Sequence, residues 1–231
     1  MGRPVLNHRI DHRGDQTRER ILEAAIEVFA AEGYEGASTR ALAAKAGVNQ
    51  PAIQYHFASK EGLYQAAIQS IAAQIEAHMG GPAAAVMTAL KDKKLTQEAL
   101  FDLLFWMLDT FADMVIQGTA PEACGAFLSR AEVENSSALN PFSQTIHAQL
   151  IVPCASIVGR LLGKSAQNET VIMRTLCLLG QVLVFKNKGP DRNLRRALGW
   201  TEFKPKQIKL AKSLIREQTK AMILCAMKKK S

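Results

Sequence analysis

The chain has 231 residues, 48% apolar and 22% charged, the balance of an ordinary globular protein long enough for one large domain or two modest ones. No window approaches the roughly 18 uninterrupted apolar residues of a membrane span, and the amino terminus lacks the apolar core of a secretory signal, so cytoplasmic residence without a membrane partner is the expectation. The four cysteines (Cys124, Cys154, Cys177, Cys225) are scattered, with no CxxC and no histidine pair nearby, which favours buried or free thiols over a metal site; neither metal nor cofactor is expected.

The net charge of +8 is unevenly placed. Residues 1–60 hold 8 Lys/Arg against 7 Asp/Glu, residues 61–185 hold 7 against 11, and residues 186–231 hold 14 against 3. The basic surplus therefore lies at the carboxyl end and lends no support to a DNA-reading element near the amino end.

In chain order, residues 1–14, with Gly2, Pro4 and Gly14 among charged residues, read as a flexible arm. Arg3, Arg9 and Arg13 make this either a disordered tail or a minor-groove arm. A first helix runs from about Asp15 to Glu32, its stripe formed by Ile21, Leu22, Ala25, Ile26 and Phe29, with Gly33 after its last turn. A second begins near the N-cap Ser38 and reaches Ala46; Gly47-Val48-Asn49 is a turn; a short helix from Gln50, with Pro51 in its first turn, ends near Phe57. Ser59 then caps a fourth helix, with Glu61 in its first turn, that runs until Gly80-Gly81-Pro82 breaks it. Further helices are expected at about 83–91, 96–117, 121–134, 139–163, 167–187 and 205–228, with a long loop from Gly189-Pro190 to Phe203. The fold class is all-α.

The stretch from Thr39 to Phe57 meets the demands of a helix-turn-helix. Ala43 is the small residue where the helices cross, Gly47 opens the turn, and Leu42, Ala46, Val48 and Ile53 lock the pair. The outward face of the second helix is Gln50, Ala52, Gln54, Tyr55 and His56, polar, aromatic and short enough for a major groove.

Residues 17–68 resemble the N-terminal domain of the TetR family without a gap. The resemblance rests on Thr17-Arg18-Glu19-Arg20-Ile21-Leu22, Phe29, Gly33, Thr39-Arg40, Ala43, Gly47-Val48, Tyr55-His56-Phe57 and Ser59-Lys60-Glu61-Gly62-Leu63-Tyr64. The run Ala52-Ile53-Gln54-Tyr55-His56-Phe57 is similar to a branch whose recognition helix ends Ala-Ile-Asn-Tyr-His-Phe. Phe127-Leu128-Ser129-Arg130, Ile151-Val152-Pro153 and Gly199-Trp200-Thr201-Glu202-Phe203 resemble, more weakly, the CecR-like branch.

The resemblance implies a helix-turn-helix domain over 15–62, with the fourth helix continuing to about 80 as connector, and an effector-binding and dimerisation domain over 83–231. It implies a homodimer on double-stranded DNA, a repressor released from a palindromic operator when an unidentified small-molecule effector binds. By position, Gln50, Ala52, Gln54 and Tyr55 are base-reading candidates, and Thr39, Arg40, Tyr55, His56 and Lys60 phosphate candidates. The family more often has tyrosine where this chain has Gln54, which leaves base and phosphate contact open there. His56 is alternatively a structural cap, and Lys60 alternatively a solvated side chain.

In the C-terminal part, Phe101, Leu104, Phe105, Leu108, Phe111 and Val115 recur at helical spacing and read first as core. Trp106, Met107, Phe111 and Met114 are candidates to line an effector pocket, with Arg130 and His147 as its polar groups; for Arg130 a surface ion pair with Glu132 or Glu134 is the alternative. Apolar faces on the last two helices, including Cys177, Gly180, Leu183, Leu214 and Met222, fit a dimer interface or a core within one subunit. The lysines at 204, 206, 209, 212, 220 and 228–230 read as a solvated face. Two rivals stand beside the repressor. An all-α enzyme lacks any Glu-x-x-His pair, nucleophile motif or Gly-rich phosphate loop, so no enzyme activity is expected. An activator without an effector, or a regulator controlled by a protein partner, is compatible with the same motif.

Overall fold

A computed structural model describes residues 12–117, 122–134, 137–185, 198–200 and 203–228. Its helices are α1 (His12–Gly36), α2 (Thr39–Ala46), α3 (Gln50–Phe57), α4 (Lys60–Ala89), α5 (Gln97–Gln117), α6 (Glu122–Val133), α7 (Asn140–Ile146), α8 (Val152–Leu162), α9 (Glu169–Leu183) and α10 (Pro205–Lys228), and no strand occurs among the described residues. The all-α expectation holds. The chain forms two compact units: residues 1–70 with 123–139, and residues 71–122 with 140–231. The expected arm lies outside the described residues up to 11; from His12 the backbone is already helical. Most of the expected 189–203 loop is likewise outside them.

Two helix boundaries differ from expectation for physical reasons. The fourth helix does not stop at Gly80-Gly81-Pro82 but runs to Ala89 with Pro82 inside it. Its buried stripe continues in phase across the interruption, through Ile71, Ile75, Met79, Ala83 and Val86, so apolar burial outweighs the helix-breaking cost. The helix expected over 139–163 is instead α7, a π-helical turn (His147–Ile151) and α8. Pro153 lacks an N–H, and Val152 donates five residues back to the His147 carbonyl, the wider turn that such a site favours.

The first unit is built on the predicted stripe. Ile21, Leu22, Ala25, Ile26 and Phe29 of α1 are buried, as are Leu42, Ala43 and Ala46 of α2, Ile53 and Phe57 of α3, and Leu63, Tyr64, Ala67 and Ile68 of α4. Gly33 breaks α1 with φ 76° and ψ 177°, backbone open to glycine alone. The unit's core is completed from far along the chain. Phe127 of α6 is buried between Phe29 (ring centroids 5.7 Å apart) and Tyr64 (5.1 Å, edge to face). Arg130, one turn on, donates through Nη1 to the carbonyls of Ala31 (2.7 Å) and Ala30 (3.3 Å). Glu134 accepts from the Tyr34 amide and the Tyr64 hydroxyl, each at 3.4 Å.

The second unit is a helical bundle whose core draws on α5, α8, α9 and α10, with Leu104, Met107, Leu108, Ile157, Val158, Val171, Val182 and Ile223 fully enclosed. Along the α5–α10 contact, basic residues spaced four apart meet acids and rings. Lys212 Nζ pairs with Asp113 at 2.6 Å, Arg216 with Asp109, and the cations of Arg216 and Lys220 lie over Phe105 (5.5 Å) and Phe101 (5.9 Å). The hydrogen bond to Asp109 is the main cause that raises the Arg216 pKa. Lys212 is thus a packing residue, a correction to the solvated face expected there, whereas Lys220 stays exposed as expected. The segment Ser137–Leu162 is long and apolar enough by composition to cross a membrane, but half of its apolar window is buried, as in the core helix of a bundle.

The docking of α6 gives a first prediction. Phe127→Ala removes a fully enclosed ring and should cost about 3–5 kcal/mol of unfolding free energy, with hydrogen exchange in α1 rising. A loss below ~1 kcal/mol would show that α6 is dispensable to the first unit's core.

Candidate nucleic-acid interface

Ser38, in extended conformation, caps α2 by accepting the Ala41 amide at 3.0 Å. Gly47 ends α2 in the left-handed region (φ 65°, ψ 37°), and the amides of Gly47 and Val48 close on the Ala44 and Ala43 carbonyls at 3.2 and 3.0 Å. Asn49 then caps α3, its Oδ1 accepting from the Ala52 amide at 3.1 Å. Both helix ends of the turn are satisfied within about ten residues, so α3 is held at a fixed angle by local chemistry.

Buried Ile53 and Phe57 anchor α3, which turns Gln50, Gln54 and Tyr55 outward; Tyr55 is 86% exposed. Ala52 and His56 are half-buried, and the His56 ring meets Tyr55 edge-on at 5.0 Å. Thr39 and Arg40 are exposed in the first turn of α2. An exposed amide pair and a phenol on one short helix form a surface that can donate to and accept from base edges.

Lys60 sits elsewhere than on the outer face. Its Nζ donates to the Tyr34 carbonyl (2.8 Å) and the Ala37 carbonyl (3.1 Å), and lies 4.3 Å from the Tyr34 ring centroid. The ammonium ties the loop after α1 to the start of α4. Burial, and then the carboxylates of Glu61 and Glu35, raise the Tyr34 hydroxyl's pKa, which keeps that ring neutral.

The junction between α3 and α4 is tight and strained, a feature with no sequence signal because alanine rarely occupies it. Ala58 has φ 62° and ψ −36°, and Ser59 N–H bonds the Phe57 carbonyl at 2.7 Å, a γ-turn of the rare positive-φ kind. A Cβ on Gly62 would lie 2.2 Å from that same carbonyl, so Gly62 is required by close approach. Ser59 Oγ accepts the Gly62 amide at 3.0 Å and caps α4. Over the Phe57 ring lies Arg18 of α1, its Cζ 5.2 Å from the centroid.

The comparisons agree with this geometry. The family model for bacterial regulatory proteins of the tetR family matches residues 21–67, the helix-turn-helix and its flanks. A second model, the C-terminal domain of the HTH-type transcriptional dual regulator CecR, matches residues 102–226, more than half of the chain. The chain belongs to the TetR family. It is similar to the dual regulator CecR of Shigella flexneri, 29% identical over 86% of this chain and 87% of that one. Among solved structures, a transcriptional regulator from Pseudomonas aeruginosa PAO1 shares the fold with TM-score 0.61 (15% identity, 93% of this chain and 94% of that one). AibR, solved in complex with isovaleryl coenzyme A and operator DNA, has TM-score 0.55 (17% identity, 86% and 96%). As a TetR-family member the chain is a DNA-binding transcriptional regulator rather than an enzyme.

The residues expected at an effector pocket are divided between the two units. Met107 and Phe111 are buried in the second unit's core, Met114 packs half-buried against it, and Trp106 is exposed at 43%. His147 is exposed on the π-helical turn. Arg130 belongs to the first unit; it spends its guanidinium on α1 carbonyls and pairs with Glu134 only at 3.8 Å. A shallow depression of about 460 Å³ in the second unit is lined by Met87, Leu90, Lys91, Ser156, Arg160, Lys164 and Ala166, none of them among the expected residues.

For Lys60 a test follows directly. Lys60→Met should lower stability by about 1–2 kcal/mol, the lower part of the range for hydrogen bonds to a charged group because the side chain is half-buried. The salt dependence of DNA binding should stay as in the parent. A flatter salt dependence with unchanged melting would instead make Lys60 a phosphate contact.

Proposed function

We propose that this TetR-family chain is a homodimeric repressor that leaves a palindromic operator when a small molecule binds its second unit. The observation that carries the DNA-reading part is the outward Gln50-Gln54-Tyr55 face on a helix fixed at both ends. Gln50, Ala52, Gln54 and Tyr55 read bases; Thr39, Arg40 and His56 contact the backbone. At Gln54, the amide is long enough and exposed enough to pair bidentately with adenine, which favours the base contact. Such a regulator works in the cytoplasm, where the chromosome is.

The dimer reading is supported by an apolar stripe that the described residues leave uncovered. On α9 and its C-cap, Met173, Leu176, Cys177, Leu183 and Val184 are exposed, a stripe that Gly180 continues at spacings of three and four, and a Cβ at Gly180 would meet nothing within 4 Å. On α10, Leu210 and Leu214 are exposed, while Met222 is half-buried against the core. Exposed stripes on two neighbouring helices fit a four-helix bundle with a second copy.

The effector reading rests on the family and on AibR, which was crystallised with both isovaleryl coenzyme A and operator DNA. The name dual regulator carried by CecR keeps activation as the second reading of the transcriptional sign. A thermal-shift screen tests the effector: a ligand at about 100 times its dissociation constant stabilises by about 2.7 kcal/mol, and the same compound should release DNA. No stabilising compound that also alters DNA binding would favour control without a small molecule.

Binding to the DNA upstream of the chain's own gene tests the reading face. Gln54→Ala should lose about 1–3 kcal/mol of discrimination between operator and scrambled duplex; equal loss on both would make Gln54 a backbone contact. Sedimentation tests the dimer, since Leu183→Glu should shift it to monomer. Cys177 should become open to alkylation in that variant while shielded in the parent. Cys154 serves as the unreactive reference, its thiol pushed up to about 12 by burial. A parent protein that sediments as a monomer at micromolar concentration would end the dimer reading.

A further inference from the structure

We propose that Arg18 is a phosphate-binding residue: from α1 it holds a guanidinium at the carboxyl end of the recognition helix α3 and engages the DNA backbone beside the groove that α3 enters. The proposal rests on the reading of α3 as the DNA-facing helix.

The first unit is nearly neutral where it should meet DNA. Residues 12–70 hold six Lys/Arg against seven Asp/Glu. Lys45 is paired with Glu27 at 2.6 Å, and Lys60 is taken up by two carbonyls. Of the cations in this segment whose side chains are described, Arg18, Arg20 and Arg40 are exposed and make no ion pair among the described residues. A duplex presents one negative charge per about 1.7 Å of its axis, so each described cation that is free to act gains weight in a nearly neutral unit that docks on it.

Among the described residues, Arg18 alone of these three is braced against α3. Its guanidinium lies over the ring of Phe57, a buried residue that fixes the guanidinium's position without consuming hydrogen-bond donors. A guanidinium resting on an aromatic face keeps its in-plane N–H groups for a phosphate, and the bracing lowers the entropy lost on contact. The location is also electrostatically apt. The carboxyl end of a helix carries partial negative charge that repels phosphate, and a cation there cancels it. The same end holds the strained turn at Ala58 and the close approach at Gly62, so its backbone is held rigid.

The test compares the full-length parent with Arg18→Ala, Arg18→Gln and Arg18→Lys on a fluorescein-labelled duplex of its own upstream DNA and on a scrambled duplex, over a series of salt concentrations. For the Ala and Gln variants, affinity should fall on both duplexes alike, and the slope of log affinity against log salt should flatten by about 0.9, the value for one phosphate contact. The Lys variant should keep the parent slope with weaker binding, because charge is retained while the planar fork is lost. Gln preserves much of the side chain's bulk over Phe57, so matching Ala and Gln slopes separate charge from packing. A parent-like slope in both neutral variants would overturn the proposal and leave Arg18 as a packing residue on Phe57. Failure of the parent itself to bind either duplex would instead overturn the DNA-facing reading of α3, and this proposal with it.

Discussion

The geometry of the first unit depends on how the carboxyl end of α1 is closed. A helix end leaves carbonyls without partners, and here two cations from distant elements take them: Arg130 of α6 binds Ala30 and Ala31, and Lys60 of α4 binds Tyr34 and Ala37. Each cation crosses a sequence separation that no local motif bridges. Together they tie α1, the start of α2, the start of α4 and α6 to a single point. The rings of Phe29, Tyr34, Tyr64 and Phe127 fill the space beneath it. With α1 fixed, the helix-turn-helix packed against its stripe is fixed as well. The orientation of α3 is thus inherited from contacts that never touch its own outward face.

The sequence shows the helix-turn-helix because its causes are local. Ser38, Gly47, Asn49 and Ser59 each act within three or four residues, and each leaves a recognisable residue type at a set spacing. Arg130 is the contrary case. In sequence it is an arginine on an amphipathic helix, equally suited to a pocket or a surface pair, and its true partners lie about 100 positions earlier. Lys60 is a second such case: in sequence it is a phosphate candidate at a helix start, and the Tyr34 and Ala37 carbonyls that it meets lie more than 20 positions earlier. The Gly80-Gly81-Pro82 run shows the opposite error. There the local signal is strong, but a buried stripe in phase on both sides overrides it.

Charge is the other feature whose meaning changed between chain and fold. The carboxyl-terminal surplus suggests a basic surface, yet Lys212, Arg216 and Lys220 face the α5 residues Asp113, Asp109, Phe105 and Phe101. The first unit, which faces a polyanion in a TetR-family regulator, is close to neutral. The two facts belong together: net charge counts residues, while binding depends on which cations remain free.

A neutral reading unit has a functional consequence. Non-specific affinity for DNA comes almost entirely from phosphate contacts, whereas base contacts supply discrimination. Under the proposed reading, a unit with few free cations among its described residues and an amide-rich outward face on α3 would draw its discrimination, and much of its affinity, from contacts that require α3 to be correctly oriented. Coupling free energies between sites in regulators are typically about 1–3 kcal/mol. In the proposed repressor that modest sum would be decisive, because little electrostatic attraction would remain after α3 is displaced. Near-neutrality and an α3 positioned through α1 would together favour release by small changes in the orientation of α3.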